Sequence, residues 1–155
     1  MATIYGVSLK KLTTFRDHEG APCCQADVYL NGKKLGFWSQ DSWGGPDQMQ
    51  FDEKMLQSAV DLYKASGRVE ERYMGIYNAE CLLGELADLT DMEKKFKSGM
   101  KKGFTTLVMG PYGTGFYSTC SAEQIKTHPQ YLDLVKESRG EKVSIYTSLY
   151  DFQVA

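Results

Sequence analysis

The stretch CCQADVYLNGKKLGFWSQ, residues 23–40, decides the fold, because two runs of alternating apolar and polar residues flank an Asn-Gly pair. Asn31 and Gly32 suit the centre of a two-residue hairpin turn, where both positions need positive φ. Such a turn places Leu30 opposite Lys33 and fixes the pairing of the residues behind it. The pairing predicts a core face that consists of Ala26, Val28, Leu35 and Phe37. Trp38 is expected on the opposite, outer face.

Strand and helix patterns continue on both sides of this hairpin. Alternation predicts a first strand in 3–15, a second hairpin around the GPYGTG turn at 110–115, and a last strand in 142–152. Helical periodicity with capping residues predicts further segments at 52–67, 78–103, 121–124 and 129–140. The 78–103 segment reads as one helix or two, with Thr90 as a cap that restarts the second. This order predicts an α+β fold, with a mainly antiparallel sheet built from hairpins and helices packed on one face.

Length and composition favour a single soluble domain that spans 1–155. The chain has 155 residues, of which 42% are hydrophobic and 25% charged, and its formal net charge is −2. These values are typical of globular proteins and give no overall field that would attract nucleic acid or an anionic membrane. An apolar signal segment and a membrane-length apolar run are both missing from the sequence. We therefore expect a cytoplasmic protein with reduced cysteines, no membrane contact and no direct nucleic-acid binding.

The stretch 36–52, GFWSQDSWGGPDQMQFD, is the first candidate for a binding site, since it contains both tryptophans of the chain. Flat aromatic rings beside carboxylates can clamp a planar or cationic group. The alternative is a packing corner that seals the hairpin against the first helix, and this interpretation is favoured. The candidate partner-binding residues here are Trp38, Asp41, Trp43, Gly44, Gly45 and Asp47.

Charge is unevenly distributed along the middle of the chain. Residues 52–93 hold ten acids against four bases, whereas 94–102 hold five lysines and no acid. Such runs are usually solvated faces, and lysines near a helix C-terminus also favour the helix dipole. Functionally, acids on a helix can face a basic partner, and lysines can bind phosphate. The acidic candidates for partner binding are Glu80, Glu85, Asp88 and Asp91. The candidates for phosphate binding are Lys94, Lys95, Lys97, Lys101 and Lys102.

Residues suited to catalysis are few and scattered. The two histidines, His18 and His128, are not placed by local sequence beside Cys23 or Cys120, as a Cys–His nucleophile pair would require. The spacing of cysteines and histidines does not resemble that of a zinc site. The glycines of 110–117 sit between two strands, whereas a phosphate loop precedes a helix. We therefore expect no catalytic residues, no metal and no cofactor.

Residues 27–51 resemble a pattern in small uncharacterised proteins of phages and bacterial accessory genomes. The shared features are the turn NGKKLG at 31–36, followed by DSWGG at 41–45. The layout of KKGFTTLVM at 101–109 and of the closing helix-strand unit is similar as well. Ser42 departs from the usual glycine, and Pro46 stands where a cysteine or polar residue often follows. The resemblance implies a setting in mobile elements and no particular reaction.

That setting favours a non-enzymatic inhibitor of a bacterial nucleic-acid-targeting defence system, of the anti-CRISPR kind, that blocks a protein surface. Its partner would be a defence protein or ribonucleoprotein. A second hypothesis is a sponge that sequesters a nucleotide immune signal, with a base stacked on tryptophan and phosphates held by the lysines. A third is an unrecognised small hydrolase or thiol enzyme. The sequence leaves a homodimer open.

Overall fold

The computed structural model describes residues 1–41 and 45–154, and of Tyr112 only the backbone. The described residues form nine strands in mostly antiparallel sheets and four helices, so the predicted α+β fold is confirmed. The strands are β1 (Thr3–Ile4), β2 (Val7–Arg16), β3 (Pro22–Leu30), β4 (Lys33–Gln40), β5 (Gln48–Met49), β6 (Thr106–Met109), β7 (Gly115–Ser118), β8 (Ser144–Tyr146) and β9 (Gln153–Val154). The helices are α1 (Gln57–Ala65), α2 (Ala79–Lys101), α3 (Ala122–Ile125) and α4 (Pro129–Glu137).

Internal contacts divide the chain into two compact units. The first consists of Met1–Thr90 with Gln153–Ala155, and the second of Asp91–Phe152. The first unit contains a six-stranded sheet in the order β5-β4-β3-β2-β1-β9, and the second a three-stranded sheet in the order β7-β6-β8. Folding as one domain over 1–155 therefore stays a prediction.

The decisive hairpin forms as β3 and β4, but its pairing changes after the turn. Asn31 and Gly32 both have positive φ, at 50° and 82°, as the turn requires. The first expected pair, Leu30 with Lys33, is present. Beyond it, Tyr29 pairs with Lys34 but Val28 pairs with Gly36, so that one extra residue is inserted in β4. This β-bulge shifts every later residue of β4 by one position.

The bulge overturns the predicted core face. Trp38 pairs with Ala26 and is 0% exposed, so the prediction that it lies on the outer face is wrong. Leu35 and Phe37, which were expected in the core, are only half-buried. The physical reason is the period of a strand, because a one-residue shift exchanges its two faces.

The helices of the first unit begin and end largely as their capping residues predict. Asp52 accepts a hydrogen bond from the backbone of Lys54 and starts a 3-10 turn, Glu53–Leu56, that leads into α1. Residues 68–77 form a connector with a 3-10 turn at Glu71–Tyr73. The predicted segment 78–103 contains one continuous helix, α2, from Ala79 to Lys101, so of the two alternatives the restart at Thr90 is wrong. Thr90 is buried and its hydroxyl donates to the Leu86 carbonyl 2.7 Å away, which lets the helix continue.

The second unit contains the predicted second hairpin and two short helices. Strands β6 and β7 pair antiparallel across the Pro111–Gly113 turn. Ser121 and Gln124 form a reciprocal capping box at α3, as expected. The last strand is shorter than expected, since 142–152 contains only β8 and a 3-10 turn at Leu149–Phe152.

Candidate functional site

A cleft of about 620 Å³ lies in the first unit, between the connector 68–77 and the first half of α2. Its volume falls in the range of ordinary ligand and peptide sites, about 300–1,000 Å³. It is lined by Gln40, Arg68, Val69, Glu70, Tyr73, Ile76, Tyr77, Glu80, Cys81, Gly84, Glu85 and Asp88. Four of these residues are acids and one is a base, so the lining is acidic.

The α2 wall of the cleft is formed by the acids that the sequence singled out. Glu85 and Asp88 are three residues apart and therefore neighbours on the helix surface, and the structure brings Glu80 to the same cleft. Between them lies Gly84, where an added Cβ would meet no atom within 4 Å. The missing side chain leaves the helix surface open at this point. Asp91, the fourth predicted acid, does not line the cleft and instead pairs with Lys95 at 3.1 Å.

Glu85 is held by tyrosine hydroxyls. The Tyr77 hydroxyl donates to Glu85 Oε2 at 3.1 Å, and Tyr63 also hydrogen-bonds Glu85. The two rings stack with centroids 5.7 Å apart. Burial, followed by the contact with Glu85, raises the pKa of both tyrosines well above the ordinary value, since a phenolate beside a carboxylate is unfavourable. The carboxylate therefore has a fixed position at the cleft.

Glu80 is linked to the core through Asp47. The backbone N–H of Asp47 donates to Glu80 Oε1 at 3.0 Å. Asp47 Oδ2 in turn accepts from Trp38 Nε1 at 2.9 Å. Trp38 is fully buried, so the prediction that its ring contacts a partner is wrong. Trp38 and Asp47 instead connect the buried indole to Glu80 through two hydrogen bonds.

The other candidates of the tryptophan-containing stretch are only partly placed by the structure. Asp41 and Gly45 are exposed. Trp43 and Gly44 lie outside the described residues. Their roles in partner binding stay predictions.

The lysine run follows the acids on α2, in the second unit. Lys95 pairs with Asp91, and Lys97 lies 3.6 Å from Glu93. Lys94, Lys101 and Lys102 are exposed. The ion pairs join positions four residues apart, which is the ordinary arrangement along a helix surface. Phosphate binding by these lysines stays a prediction.

Sequence reasoning missed the connector wall of the cleft. Tyr73 and Ile76 lie there and are 43% and 69% exposed, although both side chains are large and hydrophobic. The signal was the run RYMGIY at 72–77, because bulky apolar residues are unusual in an exposed connector between two helices. Cys81 and Gly84 were missed because nothing in their local sequence marks them.

The structure gives contacts for three of the cysteines and histidines. Cys23 Sγ contacts the Ala21 carbonyl at 3.8 Å, and Cys24 Sγ contacts Gln40 Oε1 at 3.7 Å. Burial, with Asp47 and Asp88 nearby, raises the pKa of the Cys24 thiol, which opposes thiolate formation. His128 Nδ1 accepts from the backbone of Gln130 at 3.1 Å and caps α4.

Two further findings concern metals and membranes. Within 1–41 and 45–154, no group of three or more His, Cys, Asp or Glu is placed to hold a metal ion. Over the same residues, every helix is too short or too polar to cross a membrane.

Comparisons with known proteins add no assignment. No protein-family model matches the chain, and neither does any curated protein or any solved structure. The resemblance to phage and accessory-genome proteins therefore stays a prediction.

Proposed function

We propose that this protein is a non-enzymatic inhibitor of a bacterial nucleic-acid-targeting defence system, and that it acts by covering a basic surface on a protein component of that system. The observation that carries the binding role is the acidic cleft with exposed hydrophobic side chains on its connector wall. Exposed apolar groups within a charged rim are typical of protein-binding sites. The defence setting is supported by the resemblance of 27–51 to phage proteins.

The charge of the cleft favours a basic protein partner over a nucleotide. Four carboxylates line the cleft with one guanidinium, and Arg72 pairs with one of these acids, Glu70, so the remaining charge is negative and repels phosphate groups at short range. Trp38, one of the rings proposed for base stacking, is buried. No observation at the cleft therefore favours the nucleotide sponge.

The proposal is tested by phage plating on bacteria that express the protein. The strains carry a defined nucleic-acid-targeting defence system, or none, and the phage is one that the system restricts. We expect expression to restore plaque formation in at least one defended strain and to leave the undefended strain unchanged. Failure in every defended strain of a broad panel would contradict the proposal.

A pair of charge reversals then tests whether the cleft is the surface used. Asp88→Lys reverses an exposed acid of the cleft, whereas Glu137→Lys reverses an exposed acid of α4 in the second unit. Like charges placed across an interface weaken binding, so we expect Asp88→Lys to lose at least about tenfold in affinity and most of its inhibition. Glu137→Lys changes the net charge equally and is expected to inhibit like the wild type. Equal inhibition by both variants would rule out the cleft.

A further inference from the structure

We infer that the group received by the cleft is an arginine side chain of the partner. This inference rests on the proposed binding role, but not on which defence system is the target. It follows from three properties of the walls, which are the fixed carboxylates, the aromatic rings and the apolar surface between them.

The α2 wall offers several carboxylates to an incoming cation. Glu80 and Asp88 are eight residues apart, or about 12 Å along the helix axis, whereas Glu85 and Asp88 are only three residues apart. An ionised carboxylate has about four acceptor sites, so the two tyrosine contacts of Glu85 leave it able to accept more hydrogen bonds. A guanidinium presents five N–H donors in one plane and can bridge neighbouring carboxylates, whereas an ammonium acts as a point charge.

The connector wall suits the rest of an arginine side chain. Tyr73 and Tyr77 place aromatic rings at the cleft, and guanidinium groups stack on such rings. The Tyr73 ring already carries the guanidinium of Arg72 on one face, 4.7 Å from its centroid, so an incoming arginine would have to stack on the other face or displace Arg72. Ile76 offers apolar surface for the methylene stem.

Two features of the cleft limit what can enter. Arg68 is the one base among the lining residues, and its charge opposes an incoming cation. The volume of about 620 Å³ exceeds that of a single side chain. The occupant is therefore a short arginine-bearing segment, with its charge directed toward α2.

The test uses the full-length protein and the probe peptide acetyl-Gly-Arg-Gly-Arg-Gly-amide. Binding is followed by backbone amide shifts in two-dimensional NMR. We expect shifts that concentrate at Tyr73, Gly84 and Asp88, with several-fold weaker binding when lysine replaces both arginines. Replacement of both arginines by citrulline keeps the shape and removes the charge, and this peptide is expected not to bind at the same concentrations.

Two isosteric variants complete the test. Asp88→Asn removes one cleft charge and is expected to lower the affinity for the arginine peptide about five- to tenfold. Glu137→Gln is expected to leave that affinity unchanged. Any one of four results would overturn the inference. The citrulline peptide could bind as tightly as the arginine peptide, or Asp88→Asn could bind the arginine peptide as tightly as the wild type does. The shifts could also lie outside the cleft, or be absent up to about 10 mM peptide.

The peptide test and the plating test can fail separately. Peptide binding at the cleft without inhibition in any strain would sustain the arginine site and reject the inhibitor. Inhibition that Asp88→Lys abolishes, together with no peptide binding, would sustain the inhibitor and reject arginine as the recognised group.

Discussion

Replacement of Trp38 should show that this residue belongs to the core and not to a binding surface. Its indole is 0% exposed and its Nε1 donates to Asp47 at 2.9 Å. Truncation of a buried tryptophan to alanine removes the transfer energy of the ring and leaves a cavity, which together cost about 3–5 kcal/mol. We expect Trp38→Ala to lower the free energy of unfolding by that amount.

The hydrogen bond can be separated from the packing by a double-mutant cycle. Trp38→Phe keeps an aromatic ring but removes the N–H donor, and Asp47→Ala removes the acceptor. A hydrogen bond to a charged group contributes about 1.5–3 kcal/mol when buried, and less here because Asp47 is half-buried. We expect a coupling energy of about 1 kcal/mol between the two substitutions.

The measurement is urea unfolding followed by far-UV circular dichroism, which does not depend on the tryptophan that is removed. Tyr150→Ala is the control, because Tyr150 is 79% exposed and its loss should change stability by less than about 0.5 kcal/mol. A cost below about 1 kcal/mol for Trp38→Ala would refute the placement of this side chain in the core.

Three other predictions follow from the backbone and the titratable groups. Gly36→Ala should destabilise the fold by about 1–3 kcal/mol in urea unfolding, because its Cβ would lie 2.5 Å from a backbone oxygen, whereas Gly75→Ala meets no atom and should be neutral. The pKa of Tyr77 is raised above its ordinary value of 10.0, so the unfolded chain loses this proton first and stability should fall as pH rises above about 10. Tyr77→Phe should reduce that fall, and an unchanged slope would contradict the shift. Iodoacetamide should modify the exposed Cys81 faster than Cys24, whose raised pKa suppresses the thiolate. Peptide mass spectrometry measures both rates, and the reverse order would contradict the prediction.

The local signals of the sequence predicted most of the fold. Asn31-Gly32 predicted the hairpin turn, and the capping box at Ser121 and Gln124 predicted the start of α3. These features depend on a few neighbouring residues, so they can be recognised in a single sequence. The bulge in β4 has a weaker signal, Gly36, because an isolated glycine in a strand indicates either a bulge or the close approach of another backbone segment. Both are found here, since the register shifts beside Gly36 and an added Cβ would lie 2.5 Å from the Gln50 carbonyl oxygen.

The candidate site could be predicted only on the side formed by one helix. The three-residue spacing of Glu85 and Asp88 shows in the sequence that these two share a face, whereas Glu80, five residues before Glu85, is placed at the cleft only by the structure. The opposite wall could not be predicted, because the connector has no repeating pattern and its path is set by tertiary contacts such as Tyr63 against Tyr77. A helix face therefore becomes a cleft only once the connector has folded.

The three acids of the cleft have different roles despite their similar appearance in the sequence. Glu80 accepts from the backbone of Asp47, and Glu85 accepts from Tyr77, so both also hold the walls in place. Reversal of either charge would combine loss of binding with loss of local structure. Asp88 is exposed and also lines the cleft, so a charge change there alters the surface that a partner meets. For Glu85 the matched change is to glutamine, which keeps an acceptor for the tyrosine hydroxyl while it removes the charge. If the cleft recognises a cation, Glu85→Gln should weaken binding of the partner. The free energy of unfolding should change much less for Glu85→Gln than for Glu85→Lys.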